Sequence, residues 1–95
     1  MRDRPSDEFV ASILRGYRIE KERATKSGKP VTASAIWDQV VMQCLRQPGG
    51  FTSMFAWDRR KASQNRIKTI MECIEAGYVP GLQLGERGRV EESAP

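Results

Sequence analysis

The segment ASAIWDQVVMQCLR, residues 33–46, decides the fold predicted for this chain. Its apolar residues recur at intervals of three and four, which is the period of one face of an α-helix. That face takes up about half of the helix circumference, and a face so wide predicts a central helix that packs against two neighbours. The apolar face consists of Ala33, Ile36, Trp37, Val40, Val41, Cys44 and Leu45. Met42 falls on the opposite side and is expected to be exposed.

A long helix is predicted before this segment. Ser6 is a suitable N-cap, because its hydroxyl can accept a hydrogen bond from a backbone N–H of the first turn. The apolar residues that follow form one core-facing stripe, namely Phe9, Val10, Ile13, Leu14 and Tyr17. Helix-forming polar residues then continue toward Gly28. Pro30 disfavours helix at the residue before it, so Thr32 or Ser34 is expected to cap the helix of residues 33–46.

A third helical segment is predicted over residues 52–76, with Gly77 at its C-terminal cap and Pro80 as a stop. The apolar residues of its two halves, Phe51, Phe55 and Ala62 against Ile67, Ile70, Met71 and Ile74, point about 120° apart on a helical wheel. One straight helix cannot bury both groups against the same partner. Either the segment kinks or breaks between Asp58 and Ser63, or its halves pack against different neighbours or a second subunit.

The predicted fold class is therefore all-α. We expect a small three-helix domain over residues 6–80, whose third helix can be kinked or split, and a flexible N-terminus over residues 1–5. Residues 81–95, GLQLGERGRVEESAP, are Gly-rich, charged and without periodicity, which predicts a flexible C-terminal tail. Leu82 and Leu84 are the tail residues able to dock on the domain. No alternating run predicts a strand.

The chain of 95 residues carries 16 basic and 12 acidic side chains, for a net charge of +4. This mild excess favours polyanionic partners without requiring them. No apolar run approaches the roughly 18 residues of a membrane span, and the N-terminus lacks the apolar core of a secretory signal. We therefore expect a cytoplasmic protein with no membrane partner. Cys44 and Cys73 are too few and too far apart for a disulfide framework and are expected to be buried thiols.

Catalysis is not expected. The chain contains no histidine, which removes the commonest general base and the Ser/His and Cys/His pairings. Two cysteines without histidine do not make up a zinc site. The acids are mostly near basic residues on predicted helix surfaces, where ion pairs explain them. We expect no catalytic residue, no metal and no cofactor.

The segment FAWDRRKASQNRIK, residues 55–68, is the first candidate functional surface. Its cations can bind phosphates, its amides can pair with base edges, and its indole can stack on a base. The candidate nucleic-acid-binding residues are Trp57, Arg59, Arg60, Lys61, Gln64, Asn65, Arg66 and Lys68. The order of elements also permits a helix-turn-helix, with a glycine-containing turn at residues 48–50 between the second and third helices.

The loop TKSGKPVT, residues 25–32, is a second, weaker candidate. It precedes a predicted helix N-terminus, where backbone N–H groups and the helix dipole favour an anion. The candidate anion-binding residues are Lys26, Ser27, Gly28, Lys29 and Thr32. The loop lacks the spacing of a P-loop, so hydrolysis of a nucleoside triphosphate does not follow. A plain polar loop between helices explains the same residues.

The sequence leaves several functions open. The first hypothesis is a small non-catalytic regulator or accessory factor that binds DNA or RNA through residues 57–68. The second is an adaptor or inhibitor, for example one encoded by a mobile element, that docks on a protein through Trp57, Met42 and flanking arginines. The third is a binder of a small phosphorylated ligand at residues 26–32. The charged stripe also fits an ordinary solvated helix face, and Trp57 fits the core if the helix kinks at Asp58. A domain this small leaves a homodimer open as well.

Overall fold

The computed structural model describes residues 4–46, 48, 60 and 65–93. Within these residues the chain forms three α-helices followed by a short antiparallel hairpin, which confirms the predicted small, mostly helical domain. The elements are α1 (Asp7–Ser27), α2 (Ala33–Leu45), α3 (Arg66–Glu75), β1 (Leu82–Leu84) and β2 (Val90–Glu92). None of the helices in the described ranges is both long enough and apolar enough to cross a membrane.

Local hydrogen bonds define the ends of α1 and α2. The Ser6 hydroxyl accepts from the backbone N–H three residues later at 3.1 Å, and Gly28 ends α1 in the left-handed conformation with φ of 74°. The Thr32 hydroxyl accepts from the N–H three residues later at 3.2 Å. The predicted start at Ser6 and end at Gly28 are confirmed, and Thr32 rather than Ser34 caps α2.

The central helix is α2, which packs against both α1 and α3 as predicted. Gly16 permits the close approach of α1, because a Cβ on it would lie 3.1 Å from the Cβ of Gln39. The buried core consists of Phe9, Ile13, Tyr17, Val31, Ala33, Ile36, Trp37, Val40, Cys44, Ile70, Cys73, Ile74, Val79, Leu82 and Val90. Leu45 was assigned to this core by its spacing but is 69% exposed. The buried face of α2 therefore ends at Cys44.

The helix predicted over residues 52–76 is interrupted at Asn65. This residue has an extended backbone (φ −158°, ψ 105°) and is the N-cap of α3, whereas Arg60 is helical. The predicted kink or break between Asp58 and Ser63 falls, except at Arg60, outside the described residues. Gly77 ends α3 as predicted, since its N–H donates to the Ile74 carbonyl and the next N–H donates to the Cys73 carbonyl. Ile67, expected in the core, is 40% exposed.

The flexible tail predicted over residues 81–95 is corrected for residues 82–92, which form the hairpin. Leu82 pairs with Glu92 and Leu84 with Val90. Leu82 and Val90 are buried, and the N–H of Val90 donates to the carbonyl of Val31 at 2.9 Å. The hairpin therefore closes the core beside the loop that joins α1 to α2. Strands of three residues are too short to reveal their alternation in the sequence.

The flexible N-terminus predicted over residues 1–5 is corrected at Pro5. Residues 1–3 lie outside the described part of the chain. Pro5 is fully buried, and the Arg4 guanidinium lies 3.2 Å from the Asp7 carboxylate. The domain thus begins one residue before the Ser6 cap.

Candidate nucleic-acid interface

The structure describes four of the eight residues predicted to bind nucleic acid. Arg60, Asn65, Arg66 and Lys68 are all exposed. The other four lie outside the described residues, namely Trp57, Arg59, Lys61 and Gln64. The two alternatives for Trp57, an indole exposed for stacking on a base and an indole buried in the core, are therefore untested. Three of the described candidates, Asn65, Arg66 and Lys68, lie at the start of α3.

Asn65 holds the first turn of α3 together. Its side-chain oxygen accepts from the N–H of Lys68 at 3.0 Å. Its backbone carbonyl accepts from the Thr69 hydroxyl at 2.6 Å and from the Thr69 N–H at 2.9 Å. The Asn65 amide was predicted to pair with a base edge. Its oxygen is engaged in capping, which leaves the amide NH₂ as the group that can donate to a base.

Arg66 is positioned by the central helix. Its guanidinium carbon lies 6.0 Å from the centroid of the Trp37 ring, at the outer limit of a cation–π contact. Trp37 is buried, so packing in the core restricts the position of its ring. The apolar spacing of α2 predicted a buried Trp37 correctly, but no pattern in the sequence indicated that its ring would also lie next to a cation from another helix.

The charges on α3 are separated along its length. Its first turn, every residue of which the structure describes, contains no acidic side chain, and it carries Arg66 and Lys68. Glu72 and Glu75 are exposed in the later turns. The helix dipole disfavours cations at a helix N-terminus by about 0.3–1 kcal/mol each. An anion bound at this end would relieve that unfavourable arrangement.

The loop of residues 26–32 uses two of its predicted anion ligands internally. The Ser27 hydroxyl accepts from the N–H of Lys29 at 3.5 Å, and the Thr32 hydroxyl caps α2. Gly28 supplies the left-handed turn. Lys26 and Lys29 are exposed, so the loop offers its lysine ammonium groups to a ligand more readily than its hydroxyls. Backbone pairing of Thr32 with Arg89 brings the hairpin next to this loop.

A groove of about 410 Å³ lies between α1 and the hairpin and has no counterpart in the sequence prediction. Lys21 Nζ lies 2.7 Å from Glu92 Oε1 at its rim. Burial, followed by the charge of Glu92, raises the pKa of Tyr17. The hydrogen bond to Glu92 raises the pKa of Lys21. The groove is lined by Leu14, Tyr17, Arg18, Lys21, Glu22, Thr25, Pro80, Gly81, Leu82 and Glu92. Its rim combines two cations with two acids, so it does not select for either sign of charge.

The described residues provide no obvious metal centre. No group of three or more His, Cys, Asp or Glu side chains in the described ranges could hold a metal ion. Cys44 and Cys73 are buried thiols, as predicted. No protein-family model, curated protein or solved structure matches this chain.

Proposed function

We propose that this protein is a small non-catalytic regulator or accessory factor that binds nucleic acid through the start of α3 and the residues before it. The observation that carries the proposal is the exposed, acid-free first turn of α3 with Arg66 and Lys68. These cations lie where the helix dipole disfavours them. Phosphates favour such a position, because Lys, Arg and helix N-termini all supply phosphate contacts in nucleic-acid complexes.

The order of elements supports the same proposal. Arg60 has a helical backbone and Asn65 is the extended N-cap of α3, while residues 61–64 lie outside the described part of the chain. The turn of the helix-turn-helix predicted at residues 48–50 lies mostly outside the described residues. A helix before Asn65 would instead form such a motif with α3 as its second helix, the one whose N-terminal residues contact base edges. Arg66 and Lys68 are those N-terminal residues. The residues outside the described ranges add Trp57, Arg59, Lys61 and Gln64 to the proposed surface by sequence alone.

The test is a fluorescence-anisotropy titration with double-stranded and single-stranded DNA and RNA over a series of salt concentrations. The double variant Arg66→Ala/Lys68→Ala removes two proposed phosphate contacts, so the log–log salt slope should become shallower by about 1.8 on duplex DNA. We expect a loss of affinity of at least about tenfold at moderate salt.

The matched control is Arg18→Ala/Arg23→Ala, which removes the same charge from the exposed side of α1. Equal affinities for the two double variants would show that binding depends on the net charge of the protein and not on the position of Arg66 and Lys68, which would contradict the proposal. If the unaltered protein binds none of the four nucleic acids at low salt, the proposal is wrong.

A protein partner is the second candidate, because α2 exposes two apolar side chains one turn apart at its C-terminal end. Met42 is 44% exposed and Leu45 is 69% exposed. Large apolar groups of this kind are common in protein interfaces when they form a contiguous patch. Leu45→Lys should abolish such an interaction and leave nucleic-acid affinity unreduced, which separates the two candidates in one pair of assays.

A further inference from the structure

The tip of the hairpin has an unusual backbone. Arg89 N–H donates to the Glu86 carbonyl at 3.0 Å, which closes a four-residue turn. Both central residues have positive φ, 56° for Arg87 and 75° for Gly88. Turns of this kind strongly prefer Asn-Gly, Asp-Gly or Gly-Gly, because other side chains clash with the backbone in the left-handed region. Arg87 is the non-glycine residue with positive φ among those the structure describes.

No ion pair among the described residues offsets this cost. Arg87 and Arg89 are exposed, and neither forms an ion pair within the described residues. Glu86 and Glu91 are close to these arginines in sequence, but no ion pair joins them in the part of the chain that the structure describes. An asparagine in place of Arg87 would fit the turn better and lose no contact in the described structure. Within the described residues, no ion pair accounts for an arginine at this position.

The tip of the hairpin is attached at the N-terminal end of α2, the helix whose Trp37 also contacts Arg66. Leu82 and Val90 anchor both strands in the core, and the pairing of Arg89 with Thr32 ties the tip to the start of α2. Trp37, whose ring lies next to the Arg66 guanidinium, is five residues after Thr32, which corresponds to about 7.5 Å of helical rise. The two attachment points, Thr32 and Trp37, thus lie at the N-terminal cap and in the N-terminal half of α2.

We propose that Arg87 is a second phosphate-contacting residue, which the hairpin presents to the backbone of the nucleic acid bound at α3. This inference rests on the proposed function, because it assigns an additional contact to the same complex. A two-stranded ribbon is narrow enough to approach a nucleic-acid groove. An arginine suits the contact because its guanidinium can bind a phosphate through two N–H groups at once.

The test variant is Arg87→Asn, which removes the charge and provides a residue that the turn prefers. We expect its thermal midpoint to equal or exceed that of the unaltered protein. Its affinity for duplex DNA should fall about three- to tenfold at moderate salt, and the log–log salt slope should become shallower by about 0.9, the value of one lost phosphate contact. The control is Arg4→Asn, the same substitution at an exposed, non-helical position next to α1.

The outcomes separate the two proposals. If Arg87→Asn binds as tightly as Arg4→Asn while Arg66→Ala/Lys68→Ala binds weakly, the hairpin contact is wrong and the α3 interface stands. If Arg87→Asn alone weakens binding, the α3 assignment is wrong, and the proposed contact to nucleic acid bound at α3 is overturned with it. A thermal midpoint below that of the unaltered protein would show that Arg87 stabilises the fold, which removes the basis of the inference. If the unaltered protein binds no nucleic acid, both the α3 interface and the Arg87 contact are wrong.

Discussion

Replacing Leu82 with alanine tests whether the hairpin is part of the core. Leu82 is 7% exposed and belongs to the same buried cluster as residues of all three helices. Truncation of a buried leucine to alanine costs about 2–5 kcal/mol in free energy of unfolding. Leu82 also borders the open groove beside α1, so its surroundings can relax, and we expect a cost near the lower end, about 2–3 kcal/mol. In a domain of this size, the melting midpoint should fall by roughly 10–20 °C.

The measurement is urea and thermal unfolding followed by far-ultraviolet circular dichroism. Gln83→Ala is the matched control, because Gln83 lies on the same strand with its side chain exposed. Its free energy of unfolding should change by less than about 0.5 kcal/mol. If Leu82→Ala and Gln83→Ala have the same stability, the hairpin does not dock, and the flexible tail predicted from the sequence is correct.

Two further predictions concern capping and alkaline pH. Asn65→Ala should lower the free energy of unfolding by about 1 kcal/mol in urea titrations, whereas Asn65→Asp should keep the cap; equal losses in both variants would contradict the capping role. Burial and the charge of Glu92 raise the pKa of Tyr17 above 10.0, and the bond to Glu92 raises the pKa of Lys21 above 10.5. Both groups bind their protons more tightly in the folded state, so their effects favour folding below the unfolded pKa values and are lost as pH rises through the folded ones. Unfolding midpoints measured from about pH 9 to pH 12 should therefore fall, and fall less in Tyr17→Phe; parallel curves for the two proteins would refute the assignment.

Much of the helical framework could be predicted because its signals are local. Ser6 and Thr32 each cap a helix with a hydroxyl that reaches an N–H three residues away, and Gly28 and Gly77 end helices in a conformation that glycine adopts without strain. The wide apolar face of α2 also predicted a helix between two neighbours. Such features depend on residues within a few positions of one another, so the sequence displays them directly.

The candidate interface was predictable only in outline. The stretch around Asn65, Arg66 and Lys68 was recognisable by its charge and amides. The role of Asn65 as a cap was not, because a continuous helix over residues 52–76 satisfied the local propensities equally well. The sequence reveals a conflict between the apolar directions of the two halves but does not resolve it, and it is the structure that places an N-cap at Asn65.

The amino-acid sequence thus specified where helices begin and end and which faces they bury, because caps and periodicity act over one or two turns. Only the tertiary structure decided that Leu82 and Val90 form a hairpin, since strands this short are stabilised by the core that receives them. The same holds for the contact of Arg66 with Trp37, which joins residues 29 positions apart. It holds also for the left-handed Arg87, because pairing of the two strands imposes the turn on a residue that does not favour it.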